Sequence, residues 1–372
     1  MTTTVNNEHK NIKVPNLRFK EFQGEWEKFK LSDLCTFFSG GTPSSSNKDF
    51  YGGDIAFIRS GELHADSTEL FISQDGYDNS SAKMVEIGDL LLAMYGATSG
   101  DIAISKIKGA INQAILCIRT NQNKKFIESV WNKHVSKILR KYLQGGQGNL
   151  SADIVKGISF SFPTLEEQER IANLISLLDE RIATQNKIID KLQSLIKGIA
   201  QKIVHSNKPN VRLSECLECK SSTLQESEVC EQGTYPVYGA NGIVGYLDNY
   251  NTESEAVYII KDGSGVGTVS YVTGKCSATG TLNTLQAKEG YSLHYLYYLL
   301  KVFNFEPYKT GMAIPHIYFK DYGKAKVFCP SYTEQLRYAR LLSAIDYKLS
   351  AEQHILTNLS LQKQYLLRQM FI

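Results

Sequence analysis

The residues best suited to bind a ligand lie in one basic, amide-rich stretch of the first half of the chain. Its basic side chains, set against the single acid Glu128, are Arg119, Lys124, Lys125, Lys133, Lys137, Arg140 and Lys141. They lead into loop 144–149, where Gln144, Gln147 and Asn149 carry amide groups. Amides can bond an adenine edge at two points and cations attract phosphate, so this stretch suggests a nucleic-acid contact. A solvated helix face is the alternative for the basic run.

A second glycine-rich stretch could hold phosphate. Gly263, Gly265 and Gly267 form Gly-x-Gly-x-Gly, but the segment Gly96 to Gly100, which aligns with it, lacks the central glycine. A β-turn or hairpin explains both segments, whereas a nucleotide site explains only one. We therefore expect a turn, and the chain has no Gly-Lys-Ser/Thr of a Walker A loop.

Metal and catalytic sets are poorly supported. Cys216 and Cys219 form a C-x-x-C near Cys230, but a zinc site normally needs a second ligand pair, so we expect the seven cysteines to be reduced packing residues. His294 and His316 have no metal-ligand spacing. No two prolines are adjacent, which excludes the Asn-Pro-Pro-Tyr motif of amino-methyltransferases, and no catalytic set can be assembled.

Composition limits the class of protein. A chain of 372 residues with 42% hydrophobic content can bury more than one core. Its net charge of +3 does not indicate nucleic acid, so any such surface must be local. The polar N-terminus lacks the apolar core of a signal peptide, and no stretch reaches the ~18 apolar residues of a membrane span. We expect a cytoplasmic protein without membrane contact.

These candidate residues belong to an internal repeat. Pro163 begins Pro-Thr-Leu-Glu-Glu-Gln, and 167 residues later Pro330 begins Pro-Ser-Tyr-Thr-Glu-Gln. The same offset relates Gly96 to Gly263 and Gly100 to Gly267. The copies diverge at their openings, where Leu31-Ser32-Asp33-Leu34 resembles Leu213-Ser214-Glu215-Cys216 at an offset of 182. The chain therefore contains two copies of one unit.

Each copy ends in a long helical pattern with alternating steps of four and three residues. The first seam is Ile171, Ile175, Leu178, Ile182, Gln185, Ile189, Leu192, Ile196, Ile199 and Ile203. The second is Gln335, Tyr338, Leu342, Ile345, Leu349, Glu352, Leu356, Leu359, Lys363, Leu366 and Met370. Such a heptad pattern is typical of supercoiled helices. Roughly 38 residues at ~1.5 Å each would make a rod of about 57 Å.

The seams predict how the helices pair. In an antiparallel pair with full overlap, the polar residues Gln185 and Glu352 meet, and such a contact sets register. Lys363, in place of an aliphatic residue, should lie near a seam end with its ammonium in water. Antiparallel pairing would place the globular parts at opposite ends, related by a pseudo-two-fold axis. Since B-DNA repeats every ~34 Å, this geometry suggests a bipartite DNA site.

The sequence of the globular parts predicts the α+β fold class. Short β-type runs occur at 54–59, 89–94 and 256–260, and amphipathic segments follow near 126–142 and 293–303. The predicted fold is two related α+β domains separated by two long antiparallel coiled-coil helices, in a pseudo-two-fold internal repeat.

The duplicated motifs support a family resemblance. Pro-x-x-x-Glu-Gln before a heptad helix resembles the specificity subunits of type I restriction-modification systems. Gly40-Gly41-Thr42-Pro43 with 51–55, and 235–242, resemble them as well, so the likeness runs from about Pro15 to the C-terminus. The second copy has no equivalent of Gly41-Thr42-Pro43.

The resemblance implies a domain plan and a function. It implies a disordered tail at 1–15, target-recognition domains at 16–162 and 206–329, and spacer helices at 163–205 and 330–372. Each domain would read half of a bipartite site on double-stranded DNA. Two methyltransferase (modification) subunits would bring the methyl donor, and restriction/translocase subunits the cleavage. The chain itself would be non-catalytic and bind no cofactor and no metal.

Side chains in the predicted loops and basic runs form the candidate DNA-contact set. They are Thr42, Ser44, Arg59, Lys124, Lys125, Gln144, Gln147, Asn149, Asn241, Lys261, Thr279, Lys309 and His316. Two other hypotheses stay open at this point. One is a stand-alone DNA methyltransferase or nuclease with an unrecognised motif, and the other is a coiled-coil scaffold that binds proteins without reading DNA.

Overall fold

The chain forms two compact units in the computed structural model, which describes residues 13–143, 149–311 and 313–372. The first unit comprises Met1–Thr184 and Thr357–Ile372, and the second comprises Gln185–Leu356. Most of the predicted tail, together with Gln144 and Gln147, lies outside the described residues. Within the described ranges, no helix is both long and apolar enough to cross a membrane.

The helices include the two long ones that the heptad pattern predicted. In chain order they are α1 (Leu31–Leu34), α2 (Gln74–Asp78), α3 (Lys124–Leu143), α4 (Ala152–Gly157), α5 (Leu165–His205), α6 (Leu213–Cys216), α7 (Leu293–Val302), α8 (Phe319–Tyr322) and α9 (Tyr332–Met370). Short 3-10 turns lie at Lys48–Phe50, Ser60–Glu62, Gly96–Thr98, Glu226–Glu228 and Glu306–Tyr308. Helices α5 and α9 each contribute residues to both units.

The strands are short and bounded by turns. Those before α5 are β1 (Glu27–Lys30), β2 (Cys35–Ser39), β3 (Tyr51–Ile58), β4 (Phe71–Ile72), β5 (Lys83–Val85), β6 (Leu90–Ala93), β7 (Ile102–Ile104), β8 (Gly109–Ile111), β9 (Ile115–Thr120) and β10 (Ser159–Phe162). Those after α5 are β11 (Val211–Arg212), β12 (Leu217–Ser221), β13 (Tyr235–Gly239), β14 (Gly242–Leu247), β15 (Ala256–Ile260), β16 (Val269–Val272), β17 (Ser277–Ala278), β18 (Leu282–Ala287) and β19 (Lys326–Val327).

The sheets repeat the same plan in both units. The first unit has a sheet of order β2-β9-β6-β7, and the second has β12-β18-β15-β16, all antiparallel. A two-stranded ribbon accompanies each, β1-β10 and β11-β19. The remaining sheets differ: β4-β3-β8-β5 against β14-β13-β17, although β3-β8 and β13-β17 are both parallel pairs. The duplicated α+β fold is confirmed, and the copies diverge where the sequence also diverges.

A buried glutamine ties each long helix to its own globular part. Gln168 is 1% exposed, donates to the carbonyl of Pro163 at 2.9 Å and accepts from a loop N–H of the first unit at 3.2 Å. Gln335, 2% exposed, donates to the carbonyl of Pro330 at 2.9 Å and accepts from the N–H of Ser292 at 2.9 Å. The shared glutamine of the Pro-x-x-x-Glu-Gln motif is therefore a structural joint.

The two heptad seams face each other antiparallel within each unit. In the second unit Gln185 lies against Glu352, while Ala200 lies beside Leu342, so residue numbers rise on α5 as they fall on α9. The predicted contact is present, because the amide of Gln185 donates to the backbone carbonyl of Glu352 at 3.0 Å and also to its carboxylate. Its role in setting register stays a prediction.

The expectation for Lys363 was wrong. Its ammonium lies 2.5 Å from the Asp179 carboxylate, and that carboxylate also accepts from Lys125 at 2.8 Å. Lys363 is only 31% exposed. A cation at a seam position is stabilised by a partly buried acid of the facing helix rather than by water, which the heptad pattern alone does not reveal.

Candidate functional site

Three loops of the first unit meet at Met94. Its N–H donates to the carbonyl of Ala114 at 2.8 Å, and its carbonyl accepts from Leu150 at 2.9 Å. The hairpin between β6 and β7 begins one residue earlier, where Gly100 donates to the carbonyl of Ala93 at 2.8 Å. The backbone thus ties loops 94–100, 112–114 and 149–150 into one cluster, here called the loop junction of the first unit.

The second unit repeats the junction bond for bond at Lys261, which aligns with Met94. The N–H of Lys261 donates to Thr281 at 3.0 Å, its carbonyl accepts from Ile317 at 2.9 Å, and Gly267 donates to the carbonyl of Ile260 at 2.9 Å. Loops 261–267, 279–281 and the described residues of 309–311 and 313–317 therefore form the loop junction of the second unit. The position at the centre is an apolar residue in one copy and a cation in the other.

The glycine-rich segments are the turns of equivalent hairpins. Gly96 and Gly100 have φ of 74° and 86°, and Gly263 and Gly267 have 98° and 92°. These angles are left-handed, which glycine adopts without steric cost. The turns connect β6 to β7 and β15 to β16, as the hairpin interpretation predicted.

A neighbouring contact extends each junction toward the parallel strand pair. Asn112 donates to the carbonyl of Ile58 at 3.2 Å in the first unit, and Thr279 donates to the carbonyl of Tyr238 at 2.9 Å in the second. In consequence Arg59 follows a strand that touches the first junction. The predicted contact residue Arg59 is thereby brought near loop 112–114, which the sequence did not single out.

Exposed polar side chains occur at or beside both junctions. Thr42 is exposed and bonds Gln113 of the first junction, a residue that the sequence analysis missed. Ser44, in the same loop, is exposed and 2.7 Å from Ser46. Asn149 and Asn241 are exposed as well, the latter in the turn between β13 and β14. Polar loops on rigid strands are suited to recognition.

Two of the predicted basic contacts need correction. Lys125 is 22% exposed and pairs with Asp179 and Glu128. Burial opposes its charge, but these carboxylates raise the pKa of Lys125 above its ordinary value. Lys124 donates to the carbonyl of Gly88 at 2.6 Å and lies 3.7 Å from Asp89. Both ammonium groups already have acceptors inside the first unit, and two carboxylates neutralise Lys125.

Thr279 also needs correction, because it is 1% exposed and its hydroxyl is 2.9 Å from that of Thr281. Its side chain is enclosed by the second junction. A loop threonine can either support neighbouring residues or contact a ligand, and the burial of its side chain indicates which of these roles it has.

Arg59 and Lys309 are paired with nearby acids, at 2.9 Å to Glu62 and 2.6 Å to Glu306.

The second junction contains a hydrogen-bonded triad of His316, Asp262 and Lys261. Nδ1 of His316 lies 2.6 Å from Oδ1 of Asp262, and Nζ of Lys261 lies 3.1 Å from Oδ2. Burial opposes ionisation of Asp262, but the hydrogen bonds from His316 and Lys261 and the nearby positive charge hold the pKa of this carboxyl below its ordinary value. Sequence reasoning missed Asp262, although an acid between a candidate cation and a hairpin glycine was a usable signal.

The cysteine pattern has a packing explanation. Cys216 is buried, and its sulfur lies 3.8 Å from that of Cys329, a residue 113 positions away. The described part of the chain contains no group of three or more His, Cys, Asp or Glu placed to hold a metal ion.

The chain matches a known protein family over most of its length. The family of the type I restriction modification DNA specificity domain matches twice, at residues 23–194 and 206–361. A specificity subunit of the type I restriction enzyme MjaVIII from Methanocaldococcus jannaschii is 23% identical over 244 residues, or 58% of this chain and 56% of the relative. The EcoR124I/EcoR124II specificity subunit from Escherichia coli is 27% identical over 44% of this chain and 43% of its own length. The chain thus spans about half the length of these relatives.

Longer matches agree with the duplicated plan. The specificity subunit of EcoprrI from Escherichia coli is 20% identical over 356 residues, 87% of each chain. A crystal structure of a type I restriction-modification S subunit from M. genitalium has a TM-score of 0.68 at 19% identity and covers 96% of this chain and 99% of its own. A structure described for complex assembly and conformational transition of the type I R-M system has a TM-score of 0.52 at 17% identity, covering 92% and 96%. These structures share the fold, and the two family matches together show that the chain belongs to the family of type I restriction modification DNA specificity domains.

Proposed function

We propose that this chain is the non-catalytic subunit that reads a bipartite sequence on double-stranded DNA. In this proposal each loop junction contacts one half of the site, and the helices α5 and α9 determine the length of the unread spacer. The observation that carries the proposal is the duplication of the junction. Two sets of loops with the same backbone bonds carry different side chains at their surface, the exposed Asn149 in one and the partly exposed His316 in the other, and are suited to read two different short sequences.

We further propose that the chain directs other subunits to that sequence. The named relatives are specificity subunits of type I restriction enzymes, and one similar structure concerns assembly of such a system. By analogy, two methyltransferase subunits supply the methyl donor and the chemistry on the base, and restriction/translocase subunits supply cleavage. The chain needs no cofactor of its own in this scheme.

Methylation mapping in cells with and without the chain tests the proposal. A methylated bipartite motif should disappear when the chain is deleted. Exchange of residues 206–329 for those of a relative should change one half of the motif only. A motif that survives deletion, or a change in both halves, contradicts the proposal.

Two alternatives have their own tests. Incubation of the purified chain with DNA and labelled S-adenosylmethionine should give no methylation, and methylation without a partner would show a stand-alone methyltransferase. A scaffold that does not read DNA would leave the methylated sequence unaltered when residues 206–329 are exchanged.

A further inference from the structure

The strongest unassigned feature is the loop that carries His316 in the second junction. Gly263 donates to the carbonyl of Pro315 at 3.0 Å, and Ile317 donates to that of Lys261 at 2.9 Å. A two-way backbone bridge also links Thr310 with His316, at 2.9 and 2.7 Å. The residues on either side of His316 are therefore bonded to the hairpin, and the bridge to Thr310 supports the other side, so the His316 side chain has a defined position.

Gly311 completes this support. Its φ is +89°, and a Cβ there would lie 2.3 Å from the carbonyl oxygen of Ile314 and 3.1 Å from Cδ2 of His316. Any larger residue would push the loop away from the imidazole. The glycine lets the backbone approach one edge of the ring closely, which restricts how the ring can tilt.

The orientation of the imidazole follows from its acid partner. Asp262 is an ionised acceptor, so Nδ1 of His316 carries the proton that it donates across 2.6 Å. In the neutral imidazole this tautomer leaves Nε2 as an acceptor. Among the described residues no hydrogen bond reaches Nε2, and the side chain is 35% exposed. An oriented acceptor therefore stands at the surface of the junction.

We propose that His316 is a specificity-determining residue of the second unit, whose Nε2 accepts a hydrogen bond from the exocyclic amino group of one base, and that Asp262 is its positioning residue. This inference rests on the proposed function. In the major groove the amino groups that donate are N6 of adenine and N4 of cytosine, so the base read is one of these. The first unit has Tyr95 and Asn149 at the equivalent places, so this contact belongs to one half of the site.

Base analogues that lack the amino group give a direct test. The chain, in complex with its methyltransferase subunits, is bound to duplexes of its own motif. Each adenine of the second half-site is replaced in turn by purine, and each cytosine by pyrimidin-2-one. One replacement should weaken wild-type binding by about 5-fold, the lower end of the range for a bidentate base contact, because the imidazole accepts one hydrogen bond. His316→Ala should bind the natural duplex with a similar loss and show no further loss with that analogue.

Substitutions at Asp262 separate orientation from charge. Asp262→Asn keeps a carbonyl oxygen for Nδ1–H and should retain most of the discrimination, whereas Asp262→Ala should approach His316→Ala. A structural role alone would not distinguish the two variants on one analogue. His64 and Asp101 of the first unit form a similar pair at 2.9 Å, with side chains 64% and 39% exposed, and serve as the matched control. His64→Ala should leave reading of the second half-site unchanged.

The outcomes separate this inference from the proposed function. Equal loss on all duplexes, or no analogue that distinguishes wild type from His316→Ala, overturns the role of His316. Equal discrimination by Asp262→Asn and Asp262→Ala overturns the role of Asp262. An unchanged first half-motif in the sites that these variants still methylate verifies that the complex is folded. If the motif persists without the chain, the proposed function itself fails.

Discussion

Replacement of Asp179 by asparagine removes the charge at the centre of an ion cluster while it keeps the side-chain shape. The Asp179 carboxylate lies 2.8 Å from the ammonium of Lys125 on α3 and 2.5 Å from that of Lys363 on α9. The three side chains are 27%, 22% and 31% exposed. The cluster therefore joins three helices of the first unit in a partly desolvated place.

The expected loss lies between two limits. Exposed ion pairs contribute at most about 1 kcal/mol, and removal of one partner from a fully buried pair costs about 3–5 kcal/mol. Lys125 keeps Glu128 as a second partner. For a cluster of intermediate exposure, we expect Asp179→Asn to lower the free energy of unfolding of the first unit by about 2 kcal/mol at pH 7.

The effect should depend on pH with a definite sign. Burial opposes ionisation of Asp179, but the hydrogen bonds and charges of Lys125 and Lys363 hold the pKa of this carboxyl below its ordinary value. A group with a depressed folded-state pKa stabilises fully above its unfolded-state pKa, about 3.9 for Asp, and loses that contribution as pH falls through the folded value. Wild type and Asp179→Asn should therefore converge below pH ~4.

Tryptophan fluorescence during urea unfolding measures this directly, because the two tryptophans, Trp26 and Trp131, both belong to the first unit. Asp153→Asn is the control, since Asp153 is 91% exposed and pairs with Lys156 at 3.1 Å. We expect that control to change stability by at most about 0.5 kcal/mol. A loss for Asp179→Asn no larger than the control, or a gap that persists unchanged below pH ~4, would refute the reasoning.

Three further predictions concern the helix pair. Gln168→Ala leaves a part-buried backbone N–H without its acceptor, and Gln335→Ala leaves a buried one. Each should destabilise its own unit by about 1–3 kcal/mol in urea unfolding followed by circular dichroism, with the larger loss for Gln335→Ala. No loss would show that other groups replace the acceptor. Gln185→Leu alone should lower the melting temperature, because it removes the amide that donates to Glu352. The double substitution with Glu352→Leu should bring the melting temperature back to the wild-type value or above it. A double variant less stable than Gln185→Leu would contradict this prediction. Insertion of one heptad in both α5 and α9 adds about 10.5 Å of helix, which is close to the length of three base pairs at ~3.4 Å each. Methylation mapping should therefore show a longer spacer between unchanged half-motifs. An unchanged spacer would contradict the proposed role of the helices.

Sequence reasoning succeeded where the signal is periodic and local. The heptad steps placed Gln185 opposite Glu352, and the offset between Gly96 and Gly263 placed two hairpin turns with the same left-handed φ. These features depend on spacing along the chain, which a helix or a tight turn converts directly into geometry. A repeat adds a second, independent instance of each signal.

Sequence reasoning failed for side chains whose partners are remote in sequence. Lys125 was a candidate phosphate contact, but Asp179, 54 positions later, holds its ammonium. Thr279 was a candidate contact, yet the second junction encloses it. Asp262 was overlooked, although it orients His316 from 54 residues away. Charge pairing and burial depend on distances that only the folded chain defines.

The duplicated plan of two α+β units and two long helices is thus determined by the sequence alone, because helical and turn periodicities are properties of neighbouring residues. The tertiary structure decided which polar residues are available for a ligand. At the second loop junction, His316 and Lys261 meet through Asp262, whereas on α3 the acids Glu128 and Asp179 neutralise Lys125. Packing brings remote charges within hydrogen-bond distance, and that proximity separates a free reading group from a structural one.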